Sequence, residues 1–334
     1  MNKSLLTRIS YSNGLWMVGV SMLLFSVIGN IFYFAPDQQY VNIQALAGLK
    51  GQEIFGLQID QIFRNGLFIF LFRFLLLFGS ALLLQYISSE FRLIRVRSFF
   101  PFFLFCVFSA TVIPVIPMDG ASISCFLFCW SCLRLFAALE PGNANRAVFD
   151  ASVLLAVASL FQCRIILILP VFLLVMGILQ IFSLKSFFAS IIGALSIFWM
   201  VGCVSFLMDD YSFLQFFSKE LLAFKFVDFS SFSPAEMAYT SFFGVLMISA
   251  MLSFLPKQHL DKLRTRNYLN SVLLLWFSLL ILWLFSGNNM GLLLFLFCLS
   301  SLMAAHFFSL IDTMYSRVLF FIYIFLSVFV YFLF

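Results

Sequence analysis

The stretch Gly66–Ser80, GLFIFLFRFLLLFGS, decides the fold class. Apart from Arg73 it could lie in hydrocarbon almost without penalty. Such a run belongs either to a protein core or to a membrane, and composition chooses between them. The chain is 63% hydrophobic and only 10% charged, against roughly 25% charged for an ordinary soluble domain. No water-soluble core hides that much apolar surface, so lipid is the main solvent. The expected class is all-α: a polytopic transmembrane helical bundle forming a single integral membrane domain over residues 1–334.

A span needs about 20 apolar residues. Segments near that length are 13–34, 65–87, 99–117, 121–139, 165–182, 187–207, 239–255, 270–286, 290–311 and 318–334. The segment 148–162 reaches only about 22 Å at helical rise and looks too short to cross. With 165–182 it is expected to form a hairpin or broken pair, its tip at Gln162-Cys163-Arg164. The first segment follows Lys3 and Arg8 like a signal peptide. It is about twice as long as a cleavable core, so a retained signal anchor is expected.

The +5 net charge matters through its placement. With the N-terminus in the cytoplasm, twelve basic residues fall inside: Lys3, Arg8, Arg92, Arg95, Arg97, Arg146, Lys185, Lys257, Lys262, Arg264, Arg266 and Arg317. Only five fall outside: Lys50, Arg64, Arg164, Lys219 and Lys225. This asymmetry is the positive-inside rule, and it predicts about eleven crossings, N-in and C-out. Short basic inner loops and no soluble domain also argue against a nucleic-acid partner. The outer loops 35–64 and 208–238 are long. Apolar residues stand among polar neighbours in the first, and in the second they recur at helical spacing, among them Phe213, Phe217 and Leu221. Each predicts an amphipathic helix lying in the membrane surface.

Most catalytic signatures are missing. No phosphate-binding GxxxxGK[ST] loop or HExxH motif occurs, no two CxxC motifs pair, and His259 and His306 are far apart in sequence. No cofactor is expected. Cys125, Cys129 and Cys132 show the Cx3Cx2C spacing of radical-SAM enzymes. Within a span, however, that spacing is one helix face, so buried small hydrophobes without a metal are expected. Seven cysteines lying mostly in apolar runs also exclude a disulfide framework.

Ionisable groups in or near the spans remain. Arg73 lies roughly 12 Å below the outer end of its span. A basic residue there costs about 2.5–3.5 kcal/mol on insertion scales and usually faces the bundle interior. Its two readings are a phosphate ligand, or a structural pair or snorkelling side chain. Arg134, nearer the inner surface, is expected to snorkel. His306 is expected to be a hydrogen-bonded packing residue. Asp37, Glu53, Asp60, Asp119, Asp209 and Asp210 all fall on the outer side, where the plain reading is a solvated helix end. The sharper reading sets a carboxylate base beside a cationic phosphate clamp, as transfer from a lipid phosphate requires.

Residues 148–195, VFDASVLLAVASLFQCRIILILPVFLLVMGILQIFSLKSFFASIIGAL, resemble a family of polytopic inner-membrane proteins of Bacteroidota, a domain of unknown function. The likeness rests on the small-residue helix ending in ASLF, the proline-bearing span and the short basic-aromatic inner loop. Gln162-Cys163-Arg164 departs from it, where an aromatic and a proline would stand. The same block is distantly similar to GT-C-type polyprenyl-phosphate-dependent glycosyltransferases. That resemblance implies Asp37 as the catalytic base and Arg73 and Arg164 as substrate-phosphate partners. The acidic pair and periplasmic domain of those enzymes have no counterpart here. The expected function is therefore that of a multi-pass bacterial inner-membrane protein of the cell envelope. It would transfer a sugar or phosphate group from a polyprenyl-phosphate donor at the periplasmic face. The alternatives are a non-catalytic subunit of an envelope assembly or secretion complex, with membrane-protein partners, and then a transporter.

Overall fold

A computed structural model of the chain describes residues 14–34, 66–94, 98–112, 120–139, 144–209, 211–231, 234–257, 262–287, 291–310 and 314–333. Among them the chain is helical, with one isolated parallel bridge between Lys225 and Ser286. The helices are α1 (Leu15–Phe34), α2 (Gly66–Glu90), α3 (Phe100–Val112), α4 (Ala121–Ala137), α5 (Ala144–Phe161) and α6 (Leu169–Ile178). They continue with α7 (Leu184–Leu207), α8 (Ser212–Leu222), α9 (Pro234–Lys257), α10 (Leu263–Leu284), α11 (Gly291–Leu310) and α12 (Met314–Leu333). Helices satisfy their own backbone donors and acceptors, which lipid cannot do, and this is why an apolar chain folds this way. Five of them, α2, α5, α7, α10 and α11, are long and apolar enough to cross a membrane. The chain is a multi-pass membrane protein.

The segment after residue 148 differs from its sequence reading. Helix α5 begins four residues earlier, at Ala144, and runs for 18 residues, about 27 Å at helical rise. Polar Asn145 and Arg146 supply the missing turn, so the helix can cross. Gln162 then leaves helical geometry, at φ −136° and ψ 88°. A 3-10 turn at Cys163–Ile168 follows before α6, with Pro170 in the first turn of that helix, where its missing N–H costs nothing.

Helix α11 sits at the centre, enclosed along its whole apolar length. It packs on α2, α3, α4, α9 and α10. Large rings fill the space around it: Phe128 meets Phe295 edge-on at 5.4 Å, and Phe243 meets Phe297 at 5.2 Å. Trp276 Nε1 donates to Ser300 Oγ at 2.8 Å and ties α10 to α11. His306 is buried, and its Nδ1 hydrogen-bonds the Leu93 carbonyl at 2.9 Å, the packing role expected from its position.

On one flank, α5 is sandwiched between α4 and α7. Lipid tails are as apolar as leucine, so helices here associate through close approach and hydrogen bonds instead of apolar burial. The small residues of α5 supply both. Ser124 and Ser131 of α4 each donate at 2.7 Å to the Ala158 and Ala151 carbonyls of α5. Ser152 of α5 shares a hydrogen bond of 2.8 Å with Ser190 of α7. Gly193 lies so near that an added Cβ would meet the Phe149 carbonyl oxygen at 2.8 Å. The other side of α7, with Phe188, Leu195, Trp199 and Phe206, is exposed to lipid.

Helix ends follow local chemistry. α6 stops with Gln180 at φ 60°, its N–H on Gly177 and that of Ile181 on Met176, a Schellman closure. Ser183 and Ser186 then form a capping box that starts α7. Asp209 ends α7 at φ 53°, a conformation aspartate tolerates better than most residues. That accounts for this acid as a helix terminator.

Candidate functional site

Asp37, the expected base, lies outside the described residues, as do the rest of segment 35–64, Asp119 and Asp210. Of the three expected site residues, Arg73 and Arg164 are described, and both are 5% exposed.

Arg73 shares its face of α2 with Leu77, Ser80, Ala81 and Leu84, all buried at helical spacing. Leu71 and Leu75, on the opposite face, are 57% and 54% exposed. The guanidinium therefore belongs to the interior of the bundle, the side on which intramembrane charges are usually found. Ser80, two turns further on, donates to the Leu76 carbonyl of its own helix at 2.9 Å.

Arg164 sits in the 3-10 turn after α5. Its Nε donates to the Glu220 carbonyl at 3.3 Å, and its Nη2 to the Ala223 carbonyl at 2.8 Å. Nη1 donates to the Ser286 carbonyl, and Nη2 also pairs with the Glu220 carboxylate at 3.0 Å. These contacts occupy four of the five guanidinium N–H groups. The carbonyls belong to the C-terminal ends of α8 and α10, where aligned peptide dipoles favour a cation. Around them the chain is stitched together. Lys225 and Val227 donate to the carbonyls of Phe285 and Leu284 at 3.1 and 3.0 Å, and Gly287 donates back to Lys225 at 2.6 Å. Arg164 is thus the hub of this end of the molecule. Sequence reading could find a charge there, but not its acceptors.

Helix α8 is amphipathic, as the 208–238 loop predicted. Phe213 is buried, Phe217 stacks edge-on against Phe198 of α7 at 5.3 Å, and Ser218 and Lys219 face outward. Beside it, α7 carries a groove of about 510 Å³ lined by Phe198, Trp199, Gly202, Cys203, Phe206 and Leu207. This lining suits a hydrocarbon chain and offers no acid or base.

At the opposite end of the α4–α5 pair, Arg134 is bound to Asp150. Snorkelling was the expected role, and the ion pair corrects it. Asp150 lies in the second turn of α5, on the side facing α4, so the guanidinium finds a carboxylate without reaching for the headgroups. Nearby, Tyr268 donates to the Phe136 carbonyl at 3.3 Å and accepts from Arg264 at the same distance.

The remaining group with chemical potential is a set of thiols. Cys125 and Cys129 of α4 face Cys298 of α11, while Cys132 stands apart from the cluster. The Cx3Cx2C motif therefore does not act as a unit. Its first two members meet a thiol from far along the chain that no spacing rule could have supplied. Compared with protein-family models, with curated proteins and with solved structures, the chain matches none.

Proposed function

We propose that this chain is a bacterial inner-membrane protein of the cell envelope, crossing about eleven times with its N-terminus in the cytoplasm. In this reading it binds a polyprenyl-phosphate-linked substrate at the outer face, in the plan of the GT-C glycosyltransferases. Arg73 is the phosphate ligand and Asp37 the base for transfer of a sugar or phosphate group. One observation carries the reading: a permanent cation is held on the buried face of an otherwise apolar helix. A phosphate meets such a guanidinium with bidentate, charge-assisted hydrogen bonds, and an ammonium cannot reproduce them. Arg164 enters as the residue that fixes the outer wall, its donors already being engaged with α8 and α10.

The second reading, a non-catalytic subunit of an envelope complex, draws on the long apolar side of α7, which a partner helix could cover as well as lipid does.

The test is retention of undecaprenyl phosphate by the purified protein in lipid nanodiscs, read by native mass spectrometry. The wild-type protein should keep the lipid, Arg73→Lys should keep less and Arg73→Leu none, all at equal abundance. Equal retention by Arg73→Leu would remove the phosphate-ligand role. Stoichiometric membrane-protein partners together with no lipid would favour the subunit.

A further inference from the structure

Three sulfurs meet inside the bundle, and the proposed function uses none of them. Cys125 and Cys129 stand one turn apart on α4, and Cys298 of α11 reaches both, with Sγ–Sγ separations of 3.2 and 3.4 Å. All three sulfurs lie within 4.8 Å of one another. Each residue is at most 1% exposed. The Ser80 hydroxyl of α2 faces Cys125, and the Leu294 carbonyl oxygen lies 4.0 Å from its sulfur. We propose that Cys125, Cys129 and Cys298 form a binding site for a soft monovalent metal ion, copper(I).

The donor set narrows the choice of metal. Thiolate sulfur selects copper(I), zinc and iron–sulfur clusters over hard cations. Structural zinc takes four ligands in a tetrahedron, and iron–sulfur clusters are held by four cysteines. Among the described residues this cluster offers three, with no histidine or carboxylate to complete it. Copper(I) is satisfied by two or three sulfurs.

Charge narrows it further. The site is enclosed by apolar helices, where each uncompensated charge is costly. When one copper(I) ion enters, one S–H bond is lost, one copper–thiolate bond forms and a single proton leaves. The other two thiols bind through sulfur lone pairs, so the site stays neutral and nothing is oxidised or reduced. A divalent ion would need two deprotonations and a fourth ligand. Since α11 is enclosed on every side, the ion enters as the helices assemble, and once bound it ties α4 to α11.

The test is copper content after expression in copper-supplemented medium. Purification is anaerobic, in mild detergent with a reductant, and a copper(I) chelator removes surface metal. Wild type and Cys132→Ser should each hold about one copper per chain, and Cys298→Ser roughly tenfold less. X-ray absorption of the wild type should show only sulfur around the metal. If Cys298→Ser aggregates on size exclusion, Cys129→Ser takes its place, with the same loss expected. Copper-free wild-type protein would overturn the proposal, as would zinc in its place, equal copper in the sulfur-deleted variant, or a Cys125–Cys298 disulfide without metal.

Discussion

Arg164 donates through Nη1 to the carbonyl of Ser286, a residue 122 positions further along the chain. The break that follows α5 is thereby fastened to the end of α10. The same guanidinium holds Glu220 and Ala223 at the end of α8. Three elements remote in sequence share one buried cation.

Replacing that cation should loosen this end before anything else. Arg164→Leu strands three carbonyls and the Glu220 carboxylate, and it should cost about 2–4 kcal/mol. Arg164→Lys should recover only part, since one ammonium cannot span acceptors placed around a planar fork. Thermal melting in detergent measures the loss. Cysteine labelling at Val227, buried in the wild type, should rise in parallel. An Arg164→Leu protein as stable as wild type would refute the role.

Two glycines of α7 should respond oppositely to alanine. At Gly193 a Cβ would press on the Phe149 carbonyl and on Ser152, so Gly193→Ala should destabilise by about 1–3 kcal/mol as α5 and α7 part. At Gly202 nothing lies within 4 Å, and Gly202→Ala should stabilise by up to about 1 kcal/mol through helix propensity. Melting temperatures of the two variants against wild type decide it. Equal shifts would mean that Gly193 is not a packing contact.

The Arg134–Asp150 pair is part-exposed, with 37% and 33% of the two side chains accessible. Its coupling energy should accordingly be about 1 kcal/mol or less, and smaller still in high salt. A double-mutant cycle with Arg134→Gln and Asp150→Asn isolates it. A coupling several times larger and indifferent to salt would place the pair in a drier environment than its exposure indicates.

Topology offers an independent check on the charge pattern. Cysteines placed at Lys50 and Lys225 of a cysteine-free variant should react with an impermeant maleimide in intact cells. Those at Arg95 and Arg264 should react only after lysis. Two loops on the wrong side would overturn the positive-inside assignment.

The all-helical class, the apolar segments and the break near Gln162 were legible in the sequence because each depends on neighbours within a few turns. Hydrophobic runs, proline and glycine positions and serine caps act over such distances. The helix start at Ala144 was missed because Asn145 and Arg146 are polar, although polar residues sit comfortably in the first turn of a membrane helix. Pairing of helices lay beyond reach. In lipid the usual contrast between an inward apolar face and an outward polar one is absent, so the inner side of α11 and the lipid side of α7 read alike. Which thiol joins Cys125 and Cys129, which carboxylate meets Arg134 and which carbonyls receive Arg164 were settled only when α11, α5, α8 and α10 closed around them. Each partner is supplied by another helix, and its distance along the chain carries no sequence period.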